Sequence, residues 1–274
     1  MNIINISAYK FLPLTDLPAL KTIFLEKATE LGLRGTILLS PEGVNCFFAG
    51  DAKAVRVYQQ LLGDKFGELP YKESHSQYQP FKRMLVKIKA EIIAMGVPTV
   101  KPHETPAPRI SAQELKQWYD EGRDFILLDT RNDYEIRLGM FKNTMNLNIA
   151  TFRDFPEAVA NLDPVFKEKT FVTVCTGGIR CEKAAPLMIS LGFKQVYQLD
   201  GGILRYFELC GGAYWEKECF VFDERVAVNS ALQETTTVQC FACRSPLTSE
   251  EQQDVRYQIG LTCPYCQKAD YSIA

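Results

Sequence analysis

Three short apolar segments constrain the fold of this chain more than any other feature of its sequence. They read FILLD, FVTVC and VYQLD, and they end at Asp129, Cys175 and Asp200. Apolar runs of four or five residues that alternate with helical patterns are typical of parallel strands buried on both faces. The sequence therefore predicts an α/β domain with a mainly parallel sheet. Ligands of such sheets bind beyond the carboxyl ends of the strands, and Cys175 lies at one of these ends.

A proline-rich segment at 97–110 separates this domain from an earlier block. It carries four prolines in fourteen residues, and proline removes a backbone donor and disfavours helix before it. We therefore expect an extended linker at 97–110. Ser111 with Glu114 three residues later then predicts the start of a helix. The predicted division is an N-terminal domain at 1–96, the linker, the α/β domain at 111–210, and a connector with a cysteine-rich region at 211–274.

The N-terminal block has the order strand, helix, hairpin, helix, strand. The predicted segments are Asn2–Leu12, Leu17–Leu33, Gly35–Gly50, Ala52–Leu62 and Met84–Ala94. This βαββαβ order is that of the ferredoxin-like arrangement.

Charge and hydropathy exclude several classes of protein. Lys and Arg number 31 against 33 Asp and Glu, a net charge of -2, so the chain has no general basic field for nucleic acid. An RNA contact would need a local patch, for which Lys82, Arg83, Lys87 and Lys89 are candidates, although charge runs are usually solvated surface. No run of about 18 apolar residues is present and no signal peptide is recognisable, so we predict a cytoplasmic protein without a membrane span.

The segment after the second apolar run predicts a reactive thiol. Glycines let successive N–H groups of a loop point inward, and the helix that follows adds its positive end, so the loop can hold an anion. A free thiol with a pKa of about 8.5 is only about 3% thiolate at pH 7, whereas such surroundings lower the pKa to about 3.5–7.5. Cys175 is thus the predicted nucleophile; the alternative is a small buried residue. We call the part of the loop that would hold the anion the cradle; it consists of Thr176, Gly177, Gly178, Ile179 and Arg180.

Other cysteines allow two interpretations each. Cys181 could resolve an oxidised or persulfidated Cys175, or pack in the first turn of the helix. Cys219 could be a buried thiol or act near the loop, and no role is predicted for Cys210. Nine cysteines are an odd number for a disulfide framework, which favours metal-binding or catalytic thiols.

The last cysteines have the spacing C-x2-C-x19-C-x2-C, which is typical of a zinc site with four thiolates. Because all four positions are thiolates, a structural zinc ion is expected; two redox dithiols or accidental pairs are the alternative. We call the four-cysteine segment at 240–266 the knuckle. Stacking and cationic groups for RNA could come from Phe241, Arg244 and Tyr265, or these side chains could pack the knuckle itself. The predicted ligands are Cys240, Cys243, Cys263 and Cys266.

Three motifs resemble the rhodanese family: LLDTRNDYE at 127–135, the loop CTGGIR at 175–180, and LDGGILRY at 199–206. This resemblance implies that Cys175 carries a persulfide sulfur and that Arg180 lines the loop. A six-residue loop suits sulfur, whereas the related phosphatases have one more residue and a histidine before the cysteine, where this chain has Val174. The resemblance also implies a framework of polar positions at Asp129, Arg131 and Glu135.

The whole order of domains resembles the bacterial rhodanese-containing tRNA uridine hydroxylases. Through this resemblance we expect an oxidoreductase that forms 5-hydroxyuridine at the wobble position of tRNA, with molecular oxygen as co-substrate and a sulfur donor or reductant as a further partner. His75 and His103 are the only histidines, so a two-histidine iron site is improbable. No GxGxxG motif opens a βα unit, and no flavin, nicotinamide or haem site is evident.

We therefore hypothesise that Cys175, as a persulfide or oxidised sulfur species, takes part in the uridine chemistry. Two alternatives stay open. The first is a sulfurtransferase that passes sulfur from thiosulfate or a protein persulfide through Cys175. The second is a non-catalytic tRNA-binding module in which the rhodanese-like domain is a scaffold.

Overall fold

The N-terminal domain is a five-stranded sheet with two helices on one face. The computed structural model describes residues 3–266. The strand order is β4-β1-β3-β2-β5, with antiparallel neighbours except for the parallel pair of β2 and β5. The elements are β1 (Ile3–Phe11), α1 (Leu17–Glu30), β2 (Arg34–Ser40), β3 (Gly43–Gly50), α2 (Ala52–Phe66), β4 (Lys72–Ser76) and β5 (Met84–Ile88).

This architecture confirms the ferredoxin-like fold but corrects one strand. The strand that completes the βαββαβ order is β4, which was not predicted, while the predicted last strand at Met84–Ala94 is a fifth strand, β5, at the opposite edge. The sequence KESHS of β4 shows no apolar alternation because it is an edge strand in which only Ser76 is buried. Hydrophobic periodicity is the main sequence indication of a strand, and it therefore does not predict β4.

Period-two alternation gives β1 one apolar and one polar face. Ile4, Ile6 and Ala8 are buried in the core beneath the helices, where they meet Phe24 of α1 and Tyr58 of α2. The side chains between them in the sequence lie on the opposite face, which carries no helix of this domain. That open face is the part of the domain that reaches the candidate site.

The segment 97–110 is free of helix, as its prolines predict, but it is not extended throughout. It turns at 98–99 and 102–104, and Val100 and Ala107 are buried in the core of the following domain. Its last two residues form the first strand of that domain's sheet. The residue boundaries of the domains stay a prediction, and residues 1–2 and 267–274, which belong to the predicted outer domains, lie outside the described residues.

The central domain has a five-stranded sheet in the order β6-β11-β10-β7-β9, with all neighbours parallel, which confirms the predicted α/β class. Ser111 caps its first helix by accepting a hydrogen bond from the Glu114 N–H at 3.1 Å. The elements are β6 (Arg109–Ile110), α3 (Ala112–Asp120), β7 (Ile126–Asp129), α4 (Asp133–Leu138), β8 (Gly139–Phe141), β9 (Thr144–Asn146), α5 (Phe155–Ala160), β10 (Thr170–Val174), α6 (Cys181–Ser190), β11 (Gln195–Leu199) and α7 (Gly202–Cys210), with 3-10 helices at Phe152–Asp154 and Pro164–Glu168.

The remaining chain adds three short antiparallel ribbons along the central domain. The first joins β12 to β8, the second runs beside the loop after β10, and the third carries the first cysteine pair. Within residues 3–266, no helix combines the length and apolar character needed to cross a bilayer. The elements are β12 (Trp215–Lys217), β13 (Cys219–Phe220), β14 (Ala227–Val228), β15 (Val238–Gln239) and β16 (Pro246–Leu247), with a 3-10 helix at Glu251–Gln253.

Candidate active site

A cavity of about 430 Å³ lies between the N-terminal and central domains. We call it the interdomain cavity. Its walls are the open face of the N-terminal sheet, the loop at 175–180, and the connector at 221–232. Cavities of this size are typical of small-molecule sites, which span roughly 300–1,000 Å³.

Cys175 follows β10 directly and lines this cavity, although none of its surface is open to bulk solvent. The backbone N–H of Gly178 donates a hydrogen bond to its Sγ at 3.1 Å. The Cys175 carbonyl oxygen accepts from the Ile203 N–H at 3.0 Å, and the Thr176 carbonyl accepts from Leu204 at 3.1 Å. The start of α7 therefore holds the loop in its curled form.

The surroundings of Cys175 favour the thiolate. Burial raises the pKa of this thiol, but a hydrogen bond from Cys181, the charge of Arg180 and backbone N–H groups of the loop outweigh burial and lower the pKa to about 5. The thiolate is then the main form of this group at pH 7. The arrangement can present a stable sulfur anion to a substrate in the cavity.

Two glycines are required by the close packing of the loop. Gly178 has φ of +93°, and a Cβ there would lie 2.9 Å from the hydroxyl oxygen of Tyr9. Gly202 has φ of +71°, and a Cβ there would lie 2.5 Å from the Cys175 carbonyl oxygen and 2.6 Å from the Gly178 nitrogen. Both conformations belong to the left-handed region that glycine tolerates.

Two buried ion pairs support the loop from behind. Arg180 donates to both carboxylate oxygens of Glu135, at 2.5 and 2.8 Å, and Glu135 has no exposed surface. Arg131 donates to both oxygens of Asp129 and, at 2.7 Å, to the carbonyl of Gly139. The side chains that the rhodanese resemblance implied as framework positions are thus brought together as two pairs.

The other residues of the loop lie at the wall of the cavity. Thr176, Gly177, Ile179 and Arg180 line the interdomain cavity. Cys181 is buried in the first turn of α6, 3.9 Å from the Thr130 hydroxyl. Burial and the neighbouring thiolate raise the pKa of Cys181 well above its usual range, so it is a protonated donor to Cys175.

Cys219 lies beside the Cys175 loop, whereas Cys210 lies outside the interdomain cavity. Cys219 is fully buried, and burial raises the pKa of its thiol to about 12 although Arg131 and Thr176 oppose the shift. It is therefore a neutral thiol beside the loop. Cys210 ends α7 and is partly exposed, outside the lining of the interdomain cavity.

The N-terminal domain contributes residues that the sequence analysis missed. The Tyr9 hydroxyl donates to the carboxylate of Glu182 in α6 at 3.1 Å, and the Lys72 ammonium donates to the carbonyl of Gly177. Burial lowers the pKa of Lys72, and the Cys175 thiolate partly opposes this. No local motif marks these side chains, because they reach the loop from another domain.

Lys183 joins the two domains through a buried charge. Its side chain is almost fully buried, and its Nζ lies 2.9 Å from Glu42 and 2.7 Å from Glu91, both of the N-terminal domain. It also donates to the Ile93 carbonyl at 3.0 Å. The helix that follows the loop is therefore fixed to the N-terminal domain.

The sequence contains a second Asp-x-Arg unit, at Asp223 and Arg225, which could have predicted another part of the cavity wall. Arg225 donates to both carboxylate oxygens of Asp223, at 2.8 and 2.6 Å, and its other nitrogen donates to Ser74 at 3.1 Å. Arg131 pairs with Asp129 at the same spacing. Both residues of the second unit line the interdomain cavity.

The four C-terminal cysteines form a cluster that could hold a metal ion. Their Sγ atoms all lie within 4.8 Å of one another. Three of the separations are 3.6–3.7 Å, between Cys240 and Cys266, Cys243 and Cys263, and Cys263 and Cys266. Zinc–sulfur bonds of about 2.3 Å in a tetrahedron would place sulfurs about 3.8 Å apart, so the donor set fits such an ion.

The aromatic and basic residues near this cluster fall into two groups. Phe241 is 68% exposed and Arg244 lies over its ring at 5.6 Å, whereas Tyr265 is covered by Arg137 of α4, 3.7 Å from the ring centroid. Tyr265 thus packs the knuckle against the central domain, and Phe241 with Arg244 faces solvent.

The other candidates from the sequence lie away from the loop. Lys82, Arg83, Lys87 and Lys89 are all exposed along or beside the edge strand β5. His75 lies on β4, 3.8 Å from Glu73. His103 lies in the proline-rich segment, 3.5 Å from Glu104. None of these six lines the interdomain cavity.

The parallel sheet and its cysteine loop define a rhodanese-like protein. Residues 111–208 match the rhodanese-like domain family, and residues 3–92 match the family described as UPF0176 acylphosphatase-like domain. A solved structure of a rhodanese-like domain from Anabaena sp. is 24% identical, with a TM-score of 0.34, covering 40% of this chain and 79% of its own.

Relatives that match nearly the whole chain identify its family among the rhodanese-like proteins. The chain is 48% identical to the tRNA uridine(34) hydroxylase of Cupriavidus necator, with 97% of each chain covered. It is 45% identical to the tRNA uridine(34) hydroxylase of Paraburkholderia xenovorans, with 97% of this chain and 96% of the relative covered. The chain belongs to the tRNA uridine(34) hydroxylase family.

Proposed function

We propose that this chain converts the uridine at position 34 of tRNA, the wobble position, to 5-hydroxyuridine in the cytoplasm, and that Cys175 is the reacting group. One observation carries the proposal: a cysteine with a pKa of about 5 is held in a cradle of N–H groups and lines the interdomain cavity. The names of the relatives supply the substrate.

The cradle suits any anionic sulfur at this position. Backbone N–H groups and Arg180 stabilise negative charge on a thiolate, a persulfide or a sulfenate alike. The hydroxyl oxygen comes from molecular oxygen in this proposal. Replacing a C–H hydrogen by hydroxyl with one O₂, while releasing one water, consumes two electrons, for which a thiol reductant is the partner.

Replacing Cys175 with serine is expected to abolish 5-hydroxyuridine in tRNA. Serine keeps the size of the side chain but carries no thiolate at neutral pH. The measurement is nucleoside mass spectrometry of total tRNA from a strain that lacks this gene, complemented with either protein. Cys210→Ser is the matched control, because it removes a thiol outside the cavity lining, and it should restore the nucleoside fully. Undiminished 5-hydroxyuridine with Cys175→Ser would exclude the catalytic role.

A sulfurtransferase is the second candidate, because a six-residue cradle around Cys175 is all that it needs. If 5-hydroxyuridine does not depend on the gene while purified protein transfers sulfur from thiosulfate to cyanide through Cys175, that activity replaces the hydroxylase. If the protein binds tRNA equally with and without Cys175 and changes no nucleoside, it is a non-catalytic binding module.

We also propose that the four C-terminal thiolates hold a structural zinc ion. The tetrahedral spacing of their sulfurs supports this assignment, and binding to such sites is worth about 10–16 kcal/mol in isolated peptides. The expected result is one zinc per chain by plasma mass spectrometry and its loss in Cys243→Ser, with Cys46→Ser, a buried cysteine of the N-terminal domain, as control. Chelation should also open residues 238–266 to protease. A zinc-free protein with disulfides between these cysteines would instead indicate redox dithiols.

A further inference from the structure

The floor of the interdomain cavity is a patch on the open face of the N-terminal sheet. Strand register places Phe47 of β3 between Ser7 of β1 and Thr36 of β2, and it places Asn45 between Tyr9 and Leu38 in the adjacent row. These side chains line the cavity opposite the Cys175 loop. We call these six residues the platform.

Phe47 offers an aromatic face that no ring or cation of residues 3–266 covers. Its side chain is half-buried and lines the cavity, and within residues 3–266 it pairs with no other aromatic ring and with no cation. Its neighbour Phe48, on the opposite face, is packed against Tyr58 in the core. An unpaired ring on a central strand of a ferredoxin-like sheet is the feature with which RNA-binding sheets of this order stack bases.

Asn45 offers hydrogen-bonding groups that the protein does not use. Only 6% of its surface is exposed, and its Nδ2 donates to the Ile92 carbonyl at 3.3 Å. Its Oδ1 accepts no hydrogen bond from the described part of the chain. This oxygen is accessible at the cavity wall, so it is free to accept a hydrogen bond from the N–H of a ligand. The second hydrogen on Nδ2 can serve a carbonyl of the same ligand.

Lys72 fixes the distance between platform and loop. It lies beside Ser7 in the register of β4, donates to the Gly177 carbonyl, and stands 5.5 Å from the centroid of the Tyr9 ring. No carboxylate of residues 3–266 lies within ion-pair distance of its ammonium. The cavity thus combines an aromatic floor, an amide oxygen that accepts no hydrogen bond within residues 3–266, a cation and a thiolate.

Uracil matches this set of groups. It has a flat π face, one N–H donor between two carbonyl acceptors, and no basic nitrogen on that edge, whereas cytosine has an acceptor where uracil has N3–H. An enzyme that acts on a base at an enclosed nucleophile must take that base out of its stack. A cavity of about 430 Å³ has room for one extruded nucleotide.

We propose that the N-terminal domain recognises the substrate base: uracil stacks on Phe47, and the amide of Asn45 reads its N3–H and a neighbouring carbonyl, which holds the ring against Cys175. The inference rests on the proposed function for the identity of the nucleic acid. It assigns base recognition to the N-terminal sheet rather than to the rhodanese-like domain or the cysteine knuckle.

The test is the affinity of the full-length protein for a labelled anticodon stem–loop RNA with uridine, cytidine or an abasic site at position 34, by fluorescence anisotropy. Unmodified protein should bind the uridine form most tightly. Phe47→Ala should weaken that binding roughly 5- to 150-fold, the range for loss of one base–aromatic stack, and leave binding of the abasic form unchanged. Asn45→Leu should bind the uridine and cytidine forms of the RNA with equal affinity. Leu25→Ala, a truncation of an exposed side chain on α1, is the matched control and should change neither.

The outcomes separate this inference from the proposed function. Equal affinity of the unmodified protein for the uridine and abasic forms would overturn the platform, and this arm does not depend on any variant folding. Unchanged uridine preference in both Phe47→Ala and Asn45→Leu would overturn it as well. A third outcome is that the protein prefers the uridine RNA, loses this preference in Phe47→Ala and Asn45→Leu, and yet forms no 5-hydroxyuridine. That outcome would support base recognition by the platform and overturn the proposed reaction.

Discussion

Replacing Glu135 with alanine is expected to destabilise the central domain by about 3–5 kcal/mol, the cost of leaving one partner of a buried ion pair alone. Glu135 has no exposed surface, and both its oxygens accept from Arg180, so the variant removes the carboxylate that pairs with a buried guanidinium. At about 2–4 °C per kcal/mol, the melting temperature should fall by about 6–20 °C. Urea unfolding followed by tryptophan fluorescence measures the loss, since Trp118 and Trp215 both lie in the core of this domain.

Asp133 supplies the control for this prediction. It lies two residues earlier in the same helix but is exposed, so Asp133→Ala should cost less than about 1 kcal/mol. A double variant with Glu135→Ala and Arg180→Met should be less destabilised than the sum of the single variants, because it buries no unpaired charge. An effect of Glu135→Ala no larger than that of Asp133→Ala would show that the pair is dispensable.

Replacing Gly202 with alanine is expected to displace the Cys175 loop and lower activity at least about 100-fold, which is the effect of a shift of about 1 Å at a reacting centre. The new Cβ would meet backbone atoms of Cys175 and Gly178 at 2.5 and 2.6 Å, and no flexible side chain can yield there. Strain at a φ of +71° adds to the overlap, so we expect a loss of about 2–5 kcal/mol in stability.

Gly211 has a similar φ of +61°, but nothing lies within 4 Å of the position that a Cβ would take there, so Gly211→Ala isolates the backbone cost. It should lose about 1–2 kcal/mol and keep full formation of 5-hydroxyuridine. Equal activity of the Gly202 and Gly211 variants, measured by nucleoside mass spectrometry, would contradict the role of close packing at the loop.

The architecture was predictable wherever hydrophobic periodicity is strong. The buried strands that end at Asp129 and Val174 and the capped helix after Ser111 all follow from local patterns. Strand β4 was missed because its pairing with β1 depends on tertiary contacts, and the apolar residues of β5 have the pattern expected of the completing strand. Local sequence carries little information about which edge of a sheet a strand joins.

The site was predictable only in part. The loop from Cys175 to Arg180 has a local signature of glycines between a strand and a helix. Tyr9, Lys72 and Phe47 have none, since their relation to the loop exists only after two domains pack together. A charged side chain such as Lys183 resembles ordinary surface in the sequence, and its burial follows from carboxylates about 90 and 140 residues away along the chain.

The contacts of Lys183 also bear on biosynthesis. A ribosome releases the chain from its N-terminus, at about 5–20 residues per second, and N-terminal domains generally fold first. We therefore expect Glu42 and Glu91 to be in place when Lys183 emerges, so that the ammonium meets its counter-charges as α6 forms. The connector at 221–232, the last wall of the interdomain cavity, is translated later. We expect the loop that carries the Cys175 thiolate to be anchored to the N-terminal domain before the connector covers it.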